Sequence, residues 1–500
     1  MFKLVLAAMG FAILMLGLYD LTQRRHSILR NFPVIGHFRF LIEKIGPELR
    51  QYVVADNDEE RPFSRDQRRW VYATAKKENS YFGFGTDDDL DKPGRIMFRH
   101  APFPISKKKL NETSVPCGKV LGGWRNRREA FRPGSVINIS AMSFGSLSGA
   151  AISAVNRGSK LGRCLQNTGE GGISEHHLHG GDLVYQIGTG YFGSRDLDGN
   201  FSIEALLQTI ENAPVKAIEI KLSQGAKPGI GGLLPAAKVT KEIAKARGVL
   251  VKRDVASPSA HTAFSDIAGL VDFVELIAEK TGLPVGIKSA VGNEQFWDDL
   301  ALYMSESQRG PDFVTIDGSE GGTGAAPLVF SDYVSLPFWY AFPLVINAFA
   351  KVGLSDHVVF IGSGKLGLPA EAATALALGV DIVNVAREAM LAIGCVQAQK
   401  CHTGHCPTGV ATQSRWLERG LDPMDKGVRL ANYVSGLRYE MLRLSYACGV
   451  EHPSLLSEEN LAIIGDDRTL VSAHSWYGVA PKIAQSKERL AGIASALKEL

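Results

Sequence analysis

Three cysteines, Cys395, Cys401 and Cys406, fall within twelve residues at Cys-x5-Cys-x4-Cys spacing and are closed by Pro407. Where thiols stay reduced, a cluster this dense binds metal or does redox chemistry more often than it forms a disulfide. Three thiolates suit a three-iron cluster, which takes one protein ligand on each iron. Zinc is the rival, because His402 and His405 could complete a tetrahedral set, and the spacing leaves both open. Upstream, Gly362, Ser363 and Gly364 end a β-branched run at 358–361. An alanine-rich segment of helical period follows at 370–379, then a second strand-like run at 381–385. Strand, glycine turn, helix and strand make a βαβ unit. Most such turns merely connect two elements, but this one could also aim backbone N–H groups at a phosphate.

Further candidates lie in other glycine-rich stretches. Glu170 is a glycine-flanked carboxylate in Asn167-Thr168-Gly169-Glu170-Gly171-Gly172, although loop acids are mostly just solvated. Lys221 sits inside an apolar run at 218–222, where a charge is unfavourable unless paired. A cation there could stabilise negative charge on a bound cofactor. Lys227, in the loop Gln224-Gly225-Ala226-Lys227-Pro228-Gly229, could meet a substrate carboxylate. The plain alternative for both lysines is a stem along the protein and a head in solvent. Small residues at Ala141, Met142 and Ser143, and again around Gly322 and Thr323, would let backbone amides touch a flat ligand.

Something must hold these stretches together. Strand candidates appear at 136–140, 184–188, 217–222, 250–255, 284–288, 313–317, 358–361 and 381–385. Helical-period segments such as 202–213 and 236–247 lie between most of them. Eight strands over about 250 residues predict an α/β fold, a (β/α)8 TIM barrel with its active residues at the strands' C-terminal ends. A doubly wound open sheet is the alternative, but no G-x-G-x-x-G follows the first strand. The segment 424–448 returns to helical period, and a polar helical tail ends the chain.

Composition narrows the classes. The 500 residues are 45% hydrophobic and 21% charged, with 53 glycines. A net charge of +3, with no long basic run, argues against a nucleic-acid partner. Cys117, Cys164 and Cys448 read as ordinary core residues. Residues 4–19 carry no charge, and the span 2–21 is close to the roughly 20 residues that cross a bilayer. Arg24, Arg25 and Arg30 follow it. By the positive-inside rule this is an uncleaved single-pass anchor in the inner membrane, with the main domain cytoplasmic; a cleaved signal peptide is the alternative. The amphipathic segment 32–54 is expected to be a helix packed on the main domain, with a position near the membrane surface as the alternative. The division is therefore 1–31 anchor and basic flank, 32–133 N-terminal arm, irregular from 55 onward, 134–413 barrel with cysteine cluster, and 414–500 helical extension.

Five stretches in order resemble the FMN-binding synthase domain of glutamate synthase. They are Ser-Ala-Met-Ser-Phe-Gly, Asn-Thr-Gly-Glu-Gly-Gly, Gln-Gly-Ala-Lys-Pro-Gly, Gly-Gly-Thr-Gly-Ala and the cysteine stretch with its Cys-Pro-Thr-Gly-Val-Ala-Thr-Gln ending. The resemblance covers roughly residues 134–413. It implies FMN beside a [3Fe-4S] cluster held by Cys395, Cys401 and Cys406, with zinc as the lesser alternative. It places Glu170 at the active site, Lys221 near the flavin, and Lys227 and Arg247 toward a dicarboxylate substrate. Flavin contacts would come from Ala141, Met142, Ser143, Asn167, Gly322 and Thr323, and the phosphate would be held by Gly362, Ser363, Gly364, Lys365 and the Ala386-Arg387 turn.

The departures from the family pattern bear on substrate. The glutaminase domain expected upstream is absent, so ammonia would come from solution or a partner. Leu233 stands where the family has a glutamine, in Gly-Ile-Gly-Gly-Leu-Leu-Pro, and Ser257-Pro258-Ser259-Ala260-His261-Thr262-Ala263 replaces Ser-Pro-Pro-Pro-His-His-Asp. Ala386-Arg387 replaces Gly-Thr, though arginine can grip phosphate bidentately. The expected activity is reduction of the imine of a 2-oxo acid, by default 2-oxoglutarate plus ammonia to glutamate. Electrons would come from ferredoxin or a reductase subunit, since no NAD(P)H motif is present. The alternatives are a dehydrogenase of another amine or imino acid, and a membrane-tethered binding protein with structural zinc. Homo-oligomerisation is left open.

Overall fold

Short β-branched runs alternate with alanine- and leucine-rich helices from residue 137 onward, and each run is buried on both faces, as parallel strands between helices must be. A computed structural model describes residues 1–23, 27–79, 81, 83–106, 114–234, 236 and 239–498. The expected flank residues Arg24 and Arg25, and the side chain of Leu233, lie outside what is described. The chain forms two compact units, residues 1–67 and 68–500.

In the larger unit eight parallel strands close a barrel. They are β1 (Ile137–Ile139), β2 (Gln166–Asn167), β3 (Leu183–Ile187), β4 (Val215–Lys221), β5 (Val285–Ser289), β6 (Phe313–Asp317), β7 (Val359–Ser363) and β8 (Ile382–Val385). Each pairs with the next in chain order and β8 pairs with β1. Seven of the expected strands are therefore barrel strands. The candidate at 250–255 is not: Leu250 and Val251 are exposed and Lys252 takes a positive φ of 56°. Only Val255–Ala256 is extended, and it pairs with Leu233–Leu234 outside the barrel. Its place is taken by β2, two polar residues long.

The helix Gly149–Gly162 is started by Ser148, whose hydroxyl accepts from Ala151 N–H at 3.1 Å. The expected helix at 236–247 begins only at Lys241, after the Thr240 cap. The long helix Pro423–Ala447 agrees with the periodicity and is stopped by Gly449 at positive φ. Beyond it the extension is not wholly helical. Leu461–Ile464 pairs with Ile96–Phe98 and with Leu470–Val471, so the arm and the extension share a small antiparallel sheet. The arm is not wholly irregular either, since Arg65–Lys76 is a helix.

The N-terminal ends of the strands are held by buried ion pairs. Asp312, just before β6, meets Arg127 Nε at 3.1 Å, and Asp381, just before β8, meets Lys119 Nζ at 2.9 Å and Arg489 Nη1 at 3.2 Å. That end is structural, which leaves the C-terminal end for chemistry.

In the smaller unit, Phe2–Thr22 is a single helix long and apolar enough to cross a membrane by length and composition. The segment expected to be helical at 32–54 forms the helix Gly36–Leu49 within this unit. Phe38, Leu41, Ile42, Ile45 and Leu49 are all exposed.

Candidate active site

Lys221 is the last residue of β4, and the strand delivers its head to the C-terminal mouth of the barrel. Its Nζ donates to Glu170 Oε1 at 2.9 Å and to Gln224 Oε1 at 2.7 Å. Burial alone would raise the Glu170 carboxyl, but Lys221, then Lys227 and Arg247, outweigh it and hold the group below its ordinary range. Lys227 is lowered by burial and by the Lys221 charge, and Glu170 partly offsets both. Arg247, the last residue of helix Lys241–Arg247, is only 7% exposed. Its Nη2 lies 3.4 Å from Phe144 O and its guanidinium sits over the Phe192 ring at 5.0 Å. Its Nε has no hydrogen-bond partner among the described residues. One carboxylate thus faces three cations, a surplus suited to an anionic ligand.

His261 supports this group from behind. Its Nε2 is 3.0 Å from Lys221 O and its Nδ1 is 3.1 Å from Tyr191 Oη. A carbonyl only accepts, so Nε2 carries the proton and Nδ1 accepts from the tyrosine. Burial lowers the His261 pKa, in keeping with a neutral ring. Tyr191 Oη also accepts from the N–H groups of Thr262 and Ala263 at 3.1 Å, pinning that loop to the barrel.

Asn167 faces inward. Its amide donates to Glu219 at 2.7 Å and accepts from Gly169 N–H at 3.0 Å, so it shapes the turn that carries Glu170. Glu219, 1% exposed, also accepts from Gln186 at 2.6 Å and Thr315 at 2.7 Å. Beside Lys221 in register stands Lys288 on β5, 3.5 Å from Asp317 Oδ2. Asp317 in turn accepts from Gly225 N–H at 2.9 Å. The loops after β4 and β6 meet here, and a Cβ on Gly225 would run into the Gly318 carbonyl. Gly225→Ala is therefore expected to destabilise the protein by about 1–3 kcal/mol through overpacking against backbone. Thermal unfolding checks this, and an unchanged midpoint would refute the close approach.

The phosphate candidates converge from two turns. Ser363 ends β7, and Gly364 and Lys365 follow at φ 146° and 57°. Arg387 opens the helix Arg387–Ala392, and its Nη2 donates to the carbonyl of Glu320. A Cβ on Gly322 would stand 2.6 Å from Arg387 Cδ, so glycine there admits the arginine. Burial lowers Lys365, and Arg387 lowers it further, although Glu371 works the other way. Two desolvated cations beside a glycine-rich turn fit a phosphate. Thr323 Oγ1 accepts from Ala325 N–H at 3.2 Å, shaping the loop that carries Gly322. Ala141, Met142 and Ser143 form the loop after β1, and a Cβ on Gly169 would reach within 2.6 Å of Ser143 N.

The three cysteines feel one another. Burial raises the Cys395 thiol to about 11; Cys401 and Cys406 push it the same way, while Gln397 N–H and Arg68 oppose them. Burial, then Cys406, raises Cys401. Cys406 is the exception: burial is outweighed by N–H groups of Ala411, Thr408 and Val410 and by the Thr408 hydroxyl. Among the described residues no three His, Cys, Asp or Glu side chains already form a closed metal-ligating set. Three thiols on one loop nevertheless fit a thiolate-held cluster, and at Cys406 the N–H groups gathered on the sulfur already favour its ionised form. His402 and His405 are both exposed. The cysteine loop abuts the loop after β6, since a Cβ on Gly324 would lie 3.3 Å from Cys401 Cβ. Tyr72 Oη fixes its other side by donating to Cys395 O at 2.8 Å.

Residues 123–451 match a family described as the conserved region in glutamate synthase. The chain belongs to the glutamate synthase family. It is 38% identical over 488 residues to the glutamate synthase large subunit-like protein of Bacillus subtilis, covering 91% of this chain and 93% of that one. The archaeal glutamate synthase (NADPH) of Methanocaldococcus jannaschii is 36% identical over 363 residues, 72% of this chain and 66% of its own length. The large subunit-like protein of Rhizobium meliloti is 31% identical over 418 residues, 79% and 90% of the two chains. Among solved structures, flavocytochrome b2 with pyruvate bound shows a loose likeness, at TM-score 0.43 and 16% identity over 85% of each chain. As a member of the glutamate synthase family the chain is an oxidoreductase acting on an amino donor.

Every candidate from Ala141 to Cys406 falls inside the family segment. The structure gathers Glu170, Lys221, Lys227 and Arg247 in one place, and the Gly322 loop with Arg387 and Cys401 in another. Sequence reading missed Gln224, His261 and Lys288. Lys288 carries the same signal as Lys221, a lysine inside an apolar strand.

Proposed function

We propose that this glutamate synthase family member is an FMN and iron–sulfur oxidoreductase that reduces the imine of a 2-oxo acid, by default 2-oxoglutarate plus ammonia to glutamate. The observation that carries the reading is the Glu170, Lys221, Lys227 and Arg247 group at the barrel mouth. Arg247, buried and with a spare Nε donor, and Lys227 supply two cations for the carboxylates of a dicarboxylic acid. Lys227, its pKa lowered by burial, can also give a proton to nitrogen more readily than a solvated lysine. Lys221 and Lys288 offer paired cations at the strand ends.

FMN, seated on Ala141, Met142 and Ser143, on Gly322 and Thr323, and by its phosphate on residues 362–365 with Ala386 and Arg387, supplies hydride chemistry when bound. A [3Fe-4S] cluster on Cys395, Cys401 and Cys406 would accept single electrons from an external donor, ferredoxin or a reductase subunit. The helix Phe2–Thr22 tethers the enzyme to the inner membrane with its main unit in the cytoplasm.

Steady-state assay with 2-oxoglutarate, ammonium and a chemical reductant tests the substrate. Glutamate is expected; none at full flavin occupancy would remove 2-oxoglutarate. In that event the second reading, another amine or imino acid, stands, and Leu233 in place of the family glutamine favours it. NADPH alone is expected to leave the flavin oxidised, and rapid bleaching would show a donor site within this chain.

A further inference from the structure

The apolar helix Phe2–Thr22 ends in a built corner. Asp20 is fully buried; it accepts from Val34 N–H at 2.9 Å and meets His37 Nε2 at 2.9 Å. A Cβ on Gly17 would be 3.6 Å from Val34 Cγ2, so the returning chain lies against the helix end. The corner therefore sets the start of helix Gly36–Leu49 beside the C-terminal end of the apolar helix. Along it, Phe38, Leu41, Ile42, Ile45 and Leu49 are 42 to 64% exposed. At helical spacing these five fall on one arc of roughly 100°. Arg39 and Glu43 pair at 2.9 Å on the far side. Between 24 and 50 the sequence holds six cations, Arg24, Arg25, Arg30, Arg39, Lys44 and Arg50, against Glu43 and Glu48, a net charge of +4.

We infer that helix Gly36–Leu49 lies flat in the headgroup layer of an anionic bilayer, its apolar arc toward the acyl chains and its cations among the lipid phosphates. This rests on the reading of Phe2–Thr22 as a membrane anchor. Three observations select lipid as the occupant. A row of large apolar side chains left uncovered needs a partner. The corner puts that row at the level where a spanning helix leaves the hydrocarbon. Within the helix Arg39 and Lys44 balance Glu43 and Glu48, so the net positive charge that complements anionic headgroups comes from the sequence around it, Arg24, Arg25 and Arg30 before it and Arg50 after it, and an amphipathic helix flanked in this way seats itself in the interface. The pair of helices would then fix how the following chain leaves the membrane, which a lone spanning helix does not.

The test uses the full chain in vesicles of phosphatidylcholine and phosphatidylglycerol. Azidophenylalanine replaces Ile13, Phe38, Leu41, Ile45, Arg39 or Glu43 one at a time and is coupled to an environment-sensitive fluorophore, leaving the cysteines untouched. Labels at 38, 41 and 45 are expected to be quenched by lipids spin-labelled near the headgroup, with iodide quenching several-fold weaker than at 39 and 43. Strong iodide quenching at 38, 41 and 45 would overturn the inference, as would shielding from both quenchers, which would mean that protein, such as a second copy, covers the arc. The label at 13 separates the two readings. Quenching there by deep spin labels upholds the anchor whatever the other positions show, and its absence would bring down anchor and in-plane helix together.

Discussion

Lys221→Met is expected to lower turnover with a chemical reductant on the order of 10²–10³-fold, the size of effect seen when one preorganised charge-stabilising donor is removed from a closed site. Methionine keeps the length and apolar stem of the lysine and suits the buried end of β4, so the barrel should persist. What disappears is the donor to Glu170 at 2.9 Å and to Gln224 at 2.7 Å, and with it the cation that does most to hold Glu170 ionised. Glu170→Gln removes the charge of the pair from the other side while leaving an amide oxygen that can still accept from Lys221. If the two residues act as one unit, the double variant should lose little more than either single one, a non-additivity that a cycle of the four proteins measures. Full additivity, or a Lys221→Met enzyme of normal turnover and normal flavin content, would remove the pair from the chemistry.

The same pair sets a pH dependence. The folded Glu170 carboxyl lies below its ordinary value of 4.5. The stabilisation it brings is thus complete above that value and is lost as pH falls through the lower folded one. Wild type and Glu170→Gln should converge in thermal midpoint as pH drops below the carboxylate range and diverge above it. Divergence in the opposite direction would contradict the sign.

How much of this was legible beforehand depends on where each signal resides. The barrel rested on β-branched runs at even spacing, and strands such as Phe313–Asp317 and Val359–Ser363 are such runs. The run at 250–255 had the apolar start of a strand, but Lys252, Arg253 and Asp254 follow at once and the chain turns there. Its true counterpart, Gln166–Asn167, carries no hydrophobic period at all. Its side chains are satisfied inside the protein instead, Gln166 by Asn156 at 2.7 Å and Asn167 by Glu219. A strand stabilised by buried amides is invisible to a rule that counts apolar residues. Lys221 was legible because a lysine in an apolar strand needs a partner, yet the partner itself is 51 residues away in sequence. His261 bonds a main-chain carbonyl of β4, a role that no local pattern announces.

The contact between the cysteine loop and the loop after β6 is of the same long-range kind, and the second large effect depends on it. With the cluster proposed above in place, Cys401→Ser is expected to reduce iron from about three per chain to well below one, because a three-iron cluster has one thiolate on each iron and no spare protein ligand. Flavin should stay near one per chain, since the turns proposed for its phosphate, at residues 362–365 and at Arg387, follow β7 and β8 and lie outside the cysteine loop. The kinetic consequence is a split. Turnover supported by a chemical reductant that reaches the flavin directly should survive, whereas turnover supported by a protein donor should fall on the order of 10²-fold or more, as expected when a redox centre is removed from between donor and acceptor. Cys401 is the residue to change because its Cβ lies against Gly324 in the proposed flavin loop, while serine fills the same space. Equal loss with both reductants would mean that the substitution has disturbed the flavin loop instead. A wild-type protein prepared without oxygen that holds one zinc and no iron would end the cluster assignment and leave the barrel-mouth cations to be explained on their own.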